Sequence, residues 1–317
     1  MDGVYRFYLG EELIHEERNA LTLTGRSIVI KSLLGIVPSF ANSIAYGIGT
    51  SANILSASSK LITNTSLNFE AGRAKVVGRS LSIENNNDLL VYSATTNDPF
   101  QLEIREVGLY PSSVGNASLG MDGSLIFDFD KVDTFNKVGT ASGSQLISTN
   151  NARIGSQLYS ILQTEGTNNY IQYSATDGTL SYINSYTSQD TFRLAGLDSN
   201  TSSAYVNFRF YSDTLNYYDM AFTTPTASGY FISEFQKGSA SITGNPSWEN
   251  ITFVRMWQNN AQNILLDGLR IDLGNYVIDS NYGMISRAVL ASPIRKPSSI
   301  PLTIEYSLSL GFNYGVS

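Results

Sequence analysis

Apolar and polar residues alternate in short runs along most of the chain, which is the pattern of half-buried β-strands. The clearest run is Tyr205-Val-Asn-Phe-Arg-Phe-Tyr211, where Val206, Phe208 and Phe210 take one face and the intervening residues the other. Comparable runs, separated by Gly, Asn, Ser and Asp, lie at 125–129, 170–174, 191–195, 251–257 and 264–271. Many short strands with such turns predict a β-sandwich between about residues 120 and 280.

Longer elements are predicted on either side of this region. Residues 5–18 form a hairpin around Gly10-Glu-Glu12, and residues 26–36 are the best helix, closed by Gly35 and Pro38. Further strands are predicted at 44–46, 66–70, 75–84, 89–94 and 100–110, and two longer ones lie between 284 and 312 around a link at 293–301. The chain is therefore expected to be mainly β with one short helix.

Several motifs of the first 110 residues resemble an anchoring module of tailed-phage structural proteins, including fibres and other tail or neck components. They are Asn19-Ala-Leu-Thr-Leu-Thr-Gly25, Ala45-Tyr-Gly-Ile-Gly-Thr50 and Glu103-Ile-Arg-Glu-Val-Gly-Leu-Tyr110, in that order. In such proteins a strand pair follows closely after the last motif. Its counterparts here, 285–294 and 302–308, come only after a long intervening segment.

The late continuation implies an inserted domain, because exposed loop tips tolerate insertion when the flanking strands keep their pairing. We expect residues 1–119 and 281–317 to form a discontinuous, virion-anchoring β domain and residues 120–280 to form an inserted β-sandwich. The insert resembles carbohydrate-binding jelly rolls attached to polysaccharide enzymes. This resemblance rests on the segments 124–130, 243–255 and 264–271.

Composition and charge exclude several classes of partner. Only 15% of residues are charged, the net charge is −7, and Arg295-Lys296 is the longest basic run, so no nucleic-acid-binding surface is expected. The longest uncharged stretch, 32–59, is interrupted by Pro38 and Asn42, so no membrane span is expected. We find no signal-peptide pattern at the N-terminus, so we expect synthesis in a host cytoplasm and location in a virion.

The residues needed for catalysis are scarce. There is no cysteine. The single histidine is His15, and the sequence contains no Gly-x-Ser-x-Gly motif whose serine it could activate. Glu103 and Glu106 are three residues apart, so in a strand they point to opposite faces. Gly47-Ile-Gly49 lacks the lysine of a phosphate-binding loop and is interpreted as a tight turn that needs glycine. We therefore expect no enzymatic activity and no required cofactor.

Three aspartates form a candidate calcium site. Asp128 and Asp130 share a strand face by alternation, and the first and last strands of a jelly roll are commonly neighbours, which would bring Asp130 near Asp267. Carboxylate oxygens from two strands suit Ca²⁺. The alternative is that these are ordinary turn aspartates.

Five side chains form a candidate glycan-binding face. Tyr205, Arg209 and Tyr211 share one side of their strand, and Arg255 and Trp257 share one side of another. Aromatic rings stack on sugars, while Arg binds hydroxyls. The alternative is that a neighbouring subunit or a loop covers the same face.

These observations lead to two hypotheses of function. The first is a non-enzymatic structural component of a phage particle, in the tail, the neck or a capsid-attached fibre. It would assemble with other virion proteins and with copies of itself, and display a jelly roll that binds host-surface glycan. The alternative is a free carbohydrate-binding adhesin or an accessory module of a polysaccharide-active enzyme. The split motif set favours the first hypothesis.

Overall fold

The computed structural model describes residues 2–36, 41–49, 66–84, 87–111, 123–130, 135–139, 144–161, 168–176, 178–200, 202–258, 264–272 and 283–309. The chain forms two compact units, one made of Met1–Met121 with Val277–Ser317 and the other of Asp122–Tyr276. We call them unit 1 and unit 2. The predicted fold class is confirmed, because strands dominate and a single α-helix occurs among the described residues. None of the helical segments within these ranges is long and apolar enough to cross a membrane.

Unit 1 is built on a nine-stranded antiparallel sheet with one helix. Its elements are β1 (Asp2–Leu9), β2 (Glu12–Arg18), β3 (Ala20–Leu21), α1 (Leu23–Leu33), β4 (Ser43–Gly47), β5 (Glu70–Glu84), β6 (Asn87–Thr96), β7 (Leu102–Tyr110), β20 (Ser286–Lys296) and β21 (Leu302–Ser309). The strand order is β2-β1-β21-β6-β5-β4-β7-β20-β3. The two C-terminal strands therefore lie inside the sheet rather than at its edge.

The sheet of unit 1 joins strands that are far apart in sequence. β7 pairs with β20, with Leu109 opposite Ser286, and β21 lies between β1 and β6. Next to the first of these junctions, the fully buried Glu106 receives a 2.6 Å hydrogen bond from Nη2 of Arg287. The strand before unit 2 and the strand after it thus pair directly, with a register shift between Val289 and Ile294.

Helix α1 begins earlier than the apolar pattern predicts. The side chain of Thr22 accepts a 2.8 Å hydrogen bond from the Gly25 N–H, which is the geometry of an N-cap, and its hydroxyl donates to Met284 O. Gly35, with φ of 73°, follows the helix, as expected for a C-terminal glycine. The predicted strand at 66–70 is also wrong, since only Glu70 of that segment is in a strand.

Glycines at the end of β4 serve close approach rather than an unusual dihedral angle. A Cβ on Gly47 would lie 2.5 Å from Phe69 O, and a Cβ on Gly49 would lie 2.7 Å from Cβ of Asn68. Neither glycine has a positive φ. At residues 47–49 the glycines therefore allow close packing of two backbone segments, and residues 50 and 51 of the predicted turn lie outside the described residues.

Unit 2 consists of two six-stranded sheets. Its strands are β8 (Gly123–Phe127), β9 (Phe135–Val138), β10 (Gln145–Ser148), β11 (Gln157–Ile161), β12 (Tyr170–Ser174), β13 (Thr191–Asp198), β14 (Tyr205–Tyr211), β15 (Tyr217–Thr223), β16 (Gly229–Gln236), β17 (Ser241–Thr243), β18 (Phe253–Gln258) and β19 (Ile264–Asp272). Sheet I has the order β10-β11-β19-β13-β16, with β8 beside β19. Sheet II has the order β17-β15-β14-β18-β12-β9.

The two sheets of unit 2 pack face to face through aromatic rings. Phe192 of β13 lies 5.7 Å from Phe210 of β14, and Phe127 of β8 lies 5.1 Å from Tyr173 of β12, measured between ring centroids. Val206, Phe208 and Phe210 are completely buried, as their alternation predicts. The sandwich core therefore lies between the sheets and leaves the opposite side of sheet II for other contacts.

Candidate functional site

The side of sheet II that faces away from the core carries the five predicted glycan-binding residues. Strand register places Arg209 directly opposite both Arg255 of β18 and Asp219 of β15, and Gln172 of β12 opposite Arg255. We call this surface the outer face. On β12, β18, β14 and β15 it consists of Tyr170, Gln172, Ser174, Phe253, Arg255, Trp257, Tyr205, Asn207, Arg209, Tyr211, Tyr217, Asp219, Ala221 and Thr223.

Arg209 is held by an acidic neighbour on the next strand. Its Nε and Nη2 donate to the two carboxylate oxygens of Asp219 at 2.5 and 2.8 Å, and its Nη1 donates to Tyr211 Oη at 3.3 Å. The guanidinium also lies 4.1 Å from the ring centroid of Tyr217. Burial opposes the charged form, but the hydrogen bonds to Asp219 and Tyr211 outweigh it and raise the pKa of Arg209. Asp219 is the acidic partner of this cation within the face.

Arg255 is held by neutral groups. Its Nε donates to Gln172 Oε1 at 3.0 Å, and its Nη1 donates to Tyr211 Oη at 3.3 Å. Its guanidinium lies 4.1 Å from the ring centroid of Tyr170 and 4.8 Å from that of Tyr211. The hydroxyl of Tyr211 thus receives hydrogen bonds from both arginines at the centre of the face.

The aromatic residues of the outer face differ in exposure from what alternation alone implies. Tyr205 is 46% exposed, whereas Tyr211 and Trp257 are only 4% and 8% exposed. Tyr211 stacks on Phe253 with ring centroids 4.3 Å apart, and Arg209 lies 5.1 Å from the Trp257 ring. Neighbouring side chains therefore cover most of the Tyr211 and Trp257 rings, which leaves little of either ring for a sugar to stack on.

Other polar and aromatic members of the outer face were missed from the sequence. Tyr170, Gln172, Tyr217 and Asp219 are partly exposed and contact the two arginines. The runs at 170–174 and 217–223 contain the signal, since each alternates. Only the strand order shows that these runs flank the arginine strands.

Asp128 and Asp130 do not lie on a strand as expected. β8 ends at Phe127, and Phe129 has a φ of 52°, so the alternation that would place the two carboxylates on one face is broken. The predicted neighbourhood of the first and last strands is nevertheless present, since β8 pairs with β19 and Phe127 lies opposite Leu269.

Asp267 and Asp130 hold one backbone segment between them. The fully buried Asp267 accepts hydrogen bonds from Arg153 N at 2.9 Å, from Ile154 N at 3.2 Å and from the Tyr230 hydroxyl. Asp130 Oδ1 accepts from the backbone N–H groups of residues 156 and 157 at 3.1 and 3.0 Å. Burial raises the pKa of Asp267 to about 7. Both carboxylates thus brace the turn at 153–157.

The structure does not bring Asp128, Asp130 and Asp267 together as a set of metal ligands. Within the described ranges, no three or more His, Asp or Glu side chains cluster closely enough to hold a metal ion. Asp267 is instead occupied by hydrogen-bond donors, whereas Ca²⁺ requires 6–8 oxygen ligands. The calcium site remains a prediction, and the described residues contain no cluster of ligands for it.

Carboxylates of unit 1 are bound to partners in the fold. Glu106 accepts hydrogen bonds from the backbone N–H groups of Asn68 and Phe69, in addition to its ion pair with Arg287. Glu103 pairs with Arg295 at 3.0 Å. His15 Nε2 lies 3.3 Å from Glu17 Oε2. Each of these groups has a structural partner.

No protein-family model and no curated protein matches the chain. Similar solved structures include a family 11 carbohydrate-binding module from Clostridium thermocellum, in complex with a β-1,3-1,4-mixed-linked tetrasaccharide. That match has 14% identity, covers 48% of this chain and 96% of the module, and has a TM-score of 0.35. The CBM22-1 xylan-binding domain from Paenibacillus barcinonensis matches with 14% identity over 48% of this chain and 96% of that domain, with a TM-score of 0.29.

A third similar structure covers more of the chain. A DUF4465-family protein from Bacteroides caccae matches 73% of this chain and 98% of its own with 11% identity and a TM-score of 0.22. None of the three structures is described as a phage virion protein. At these identities and TM-scores the likeness does not extend to a ligand.

Proposed function

We propose that unit 2 is a non-catalytic saccharide-binding module and that the outer face of sheet II is its binding surface. The observation that carries the proposal is the combination of two guanidinium groups with partly exposed tyrosine rings on adjacent strands. Binding sites combine aromatic surface with a few placed polar groups. Rings stack on the apolar face of a sugar, and guanidinium and amide groups bind its hydroxyls.

The side chains of this face are held in place before any ligand binds. Tyr211 receives hydrogen bonds from Arg209 and Arg255, and Gln172 accepts from Arg255. Side chains that are already ordered lose little conformational entropy on binding. Side chains on strands are also positioned more precisely than side chains on loops. Both features favour recognition of a rigid ring.

The proposed activity is binding without hydrolysis. Glycoside hydrolysis by the usual route requires two carboxyl groups that flank one glycosidic bond. Asp219 is the single carboxylate in the set that defines the outer face, and it is bound to Arg209. Asp267 lies in the core and holds backbone N–H groups. This arrangement supports recognition rather than acid–base chemistry.

Tyr205 provides the direct test of the binding surface. We expect Tyr205→Ala to weaken binding to a retained polysaccharide about two- to tenfold, because an aromatic contact contributes about 0.5–1.5 kcal/mol beyond area burial. The measurement is affinity gel electrophoresis of the purified chain against a panel of neutral and acidic polysaccharides, followed by calorimetry. Leu215→Ala is the matched control, since Leu215 is 76% exposed in the turn between β14 and β15.

Three outcomes would contradict the proposal. The first is that no polysaccharide of the panel retards the wild-type chain. The second is that the Tyr205 and Leu215 variants bind alike. The third is release of reducing sugar from a bound polysaccharide, which would indicate an enzyme rather than a binding module.

A second candidate function is a structural role in a tailed-phage particle, with unit 1 as the docking part. The observation that favours it is a set of exposed apolar side chains in unit 1. They are Leu23 (56% exposed), Ile30 (58%), Leu33 (79%) and Leu34 (69%) near α1, and Val77 (75%), Leu81 (66%) and Ile83 (72%) on β5. Contiguous exposed apolar surface marks protein contacts. Virion location, other virion proteins as partners and homo-oligomerisation stand as proposals on this basis.

A further inference from the structure

The outer face of sheet II has a charge opposite in sign to that of the chain. The net charge of the whole protein is −7. The ionised side chains that the four central strands place on this face are Arg209, Arg255 and Asp219. Two cations and one anion give the surface an excess of one positive charge. Because of this local excess, a negatively charged partner is attracted to this face more than to the rest of the protein surface.

The positive excess belongs to Arg255 rather than to Arg209. Arg209 has a two-point ion pair with Asp219. Within the described ranges, Arg255 makes hydrogen bonds only to Gln172 Oε1 and Tyr211 Oη, and no carboxylate lies within ion-pair distance of it. A guanidinium has five N–H groups, so three of those on Arg255 have no partner within the same ranges.

Strand register makes this arrangement unfavourable for the protein alone. Arg209 and Arg255 lie directly opposite each other on β14 and β18, and like charges in that position are destabilising. Arg255 is also partly buried beside the rings of Tyr170 and Tyr211, which reduces its hydration. A bound anion would relieve both costs. Strain of this kind is characteristic of binding sites.

We propose that the ligand of the outer face is an acidic polysaccharide whose carboxylate or sulfate group binds the guanidinium of Arg255. This inference rests on the saccharide-binding function proposed for the same face. Gln172 and Tyr211 fix the plane of the guanidinium through Nε and Nη1, and its other N–H groups have no partner within the described ranges. Arginine recognises carboxylate and sulfate oxygens through such paired donors. The guanidinium lies over one face of the partly exposed Tyr170 ring, 4.1 Å from its centroid.

The test compares a variant that removes the charge of residue 255 with a conservative variant and a matched control. Arg255→Gln removes the charge, Arg255→Lys retains it without the planar fork, and Lys137→Gln removes an exposed charge from β9 of the same unit. The probes are polygalacturonate, dextran sulfate and neutral dextran, added to the full chain in affinity electrophoresis and calorimetry at two salt concentrations. Thermal unfolding of each variant confirms that it is folded.

We expect the wild type to bind an acidic polymer more tightly than the neutral one. Arg255→Gln should lose about tenfold in affinity for that polymer, the loss expected for one charged hydrogen-bonded contact. Arg255→Lys should retain part of the affinity, and Lys137→Gln should bind like the wild type. Preference for polygalacturonate identifies a carboxylate ligand, and preference for dextran sulfate identifies a sulfate ligand.

Two results would overturn the inference in different ways. Equal binding of neutral and acidic polymers, with no effect of Arg255→Gln, leaves the saccharide-binding function in place and rejects the acidic ligand. No binding to any polymer, together with no effect of Tyr205→Ala, rejects the saccharide-binding function itself. An equal loss in the Lys137→Gln variant also rejects the inference, because it indicates nonspecific attraction.

Discussion

Buried ionisable side chains of this protein are held by specific partners. In unit 1, Glu106 pairs with Arg287 and accepts two backbone hydrogen bonds. In unit 2, the ammonium of Lys237 donates to Ile183 O and Tyr186 O, and burial lowers its pKa to about 8. Such groups are costly to bury without partners. Arg255 differs from Glu106 because its partners within the described ranges are neutral.

Asp267 makes the stability of unit 2 depend on pH. Burial raises its pKa from the ordinary value of 3.8 to about 7, so the folded chain retains a proton that the unfolded chain loses in that range. The stabilisation is fully present below about pH 4 and is lost as pH rises through 7. We expect the free energy of unfolding to fall by about 3 kcal/mol between pH 5 and pH 8 through this group.

Denaturant unfolding at pH 5 and pH 8 checks this prediction. Asp267→Asn cannot ionise, so the variant should lose that part of the pH dependence. The control is Asp213→Asn, because the hydrogen bonds from Asn216 and Leu215 lower the pKa of the exposed Asp213. The Asp213 group therefore titrates below this pH window. A wild-type slope in the Asp267 variant would contradict the assignment.

Some apolar side chains of unit 1 are exposed, in addition to those that form its core. On α1, Gly25, Ile28 and Val29 are buried, while Leu23 and Ile30, seven residues apart, are exposed. A surface helix ordinarily has one apolar face and one polar face. We propose that the exposed apolar residues of α1 bind a partner. The same applies to the exposed apolar residues of β5.

Replacing two exposed residues of α1 tests whether this surface forms a contact between copies. We expect the wild-type chain to self-associate in sedimentation experiments and the double variant Ile30→Gln, Leu33→Gln to be monomeric. The fold should be unaffected, because substitutions of exposed residues usually change stability by less than about 0.5 kcal/mol. Leu215→Gln, an equally polar change at an exposed leucine of unit 2, should leave the assembly intact. Identical sedimentation of wild type and double variant would contradict this docking role.

Each unit of the whole molecule has its own sheets and core. The first and last strands of unit 2, β8 and β19, pair with each other. Unit 1 is interrupted between β7 and β20, which pair with each other at Leu109 and Ser286. Its last strand, β21, is interior to its sheet. An inserted unit whose flanking strands are paired leaves the host sheet continuous.

Removal of unit 2 tests the integrity of unit 1. We expect a chain in which a short Gly–Ser linker replaces residues 113–282 to fold cooperatively, because the ends to be joined lie at paired strands. Circular dichroism and thermal unfolding provide the measurement. A chain that ends at residue 111 is the control and should not fold, since it lacks β20 and β21. Failure of the linker variant to fold would contradict the independence of unit 1.

The local sequence pattern predicts many strands of unit 2 but fewer features of the outer face. The strands at 170–174 and 205–211 were predicted with their observed bounds, and Arg209 and Tyr211 were placed on the correct side. Helix α1 was predicted three residues late, because its start depends on Thr22 as an N-cap that also contacts Met284. The burial of Trp257 does not follow from the local pattern, since it depends on side chains from other strands.

The sequence by itself determined the mainly β fold, the division of β14 into a core side and an outer side, and the scarcity of catalytic groups. These follow from a two-residue period and from composition, which are local properties. The tertiary structure alone decided that Asp219 compensates Arg209 while Arg255 contacts neutral Gln172. It also decided that Asp267 braces a backbone turn. Cross-strand neighbours depend on strand order and register, which result from packing between residues far apart in the chain.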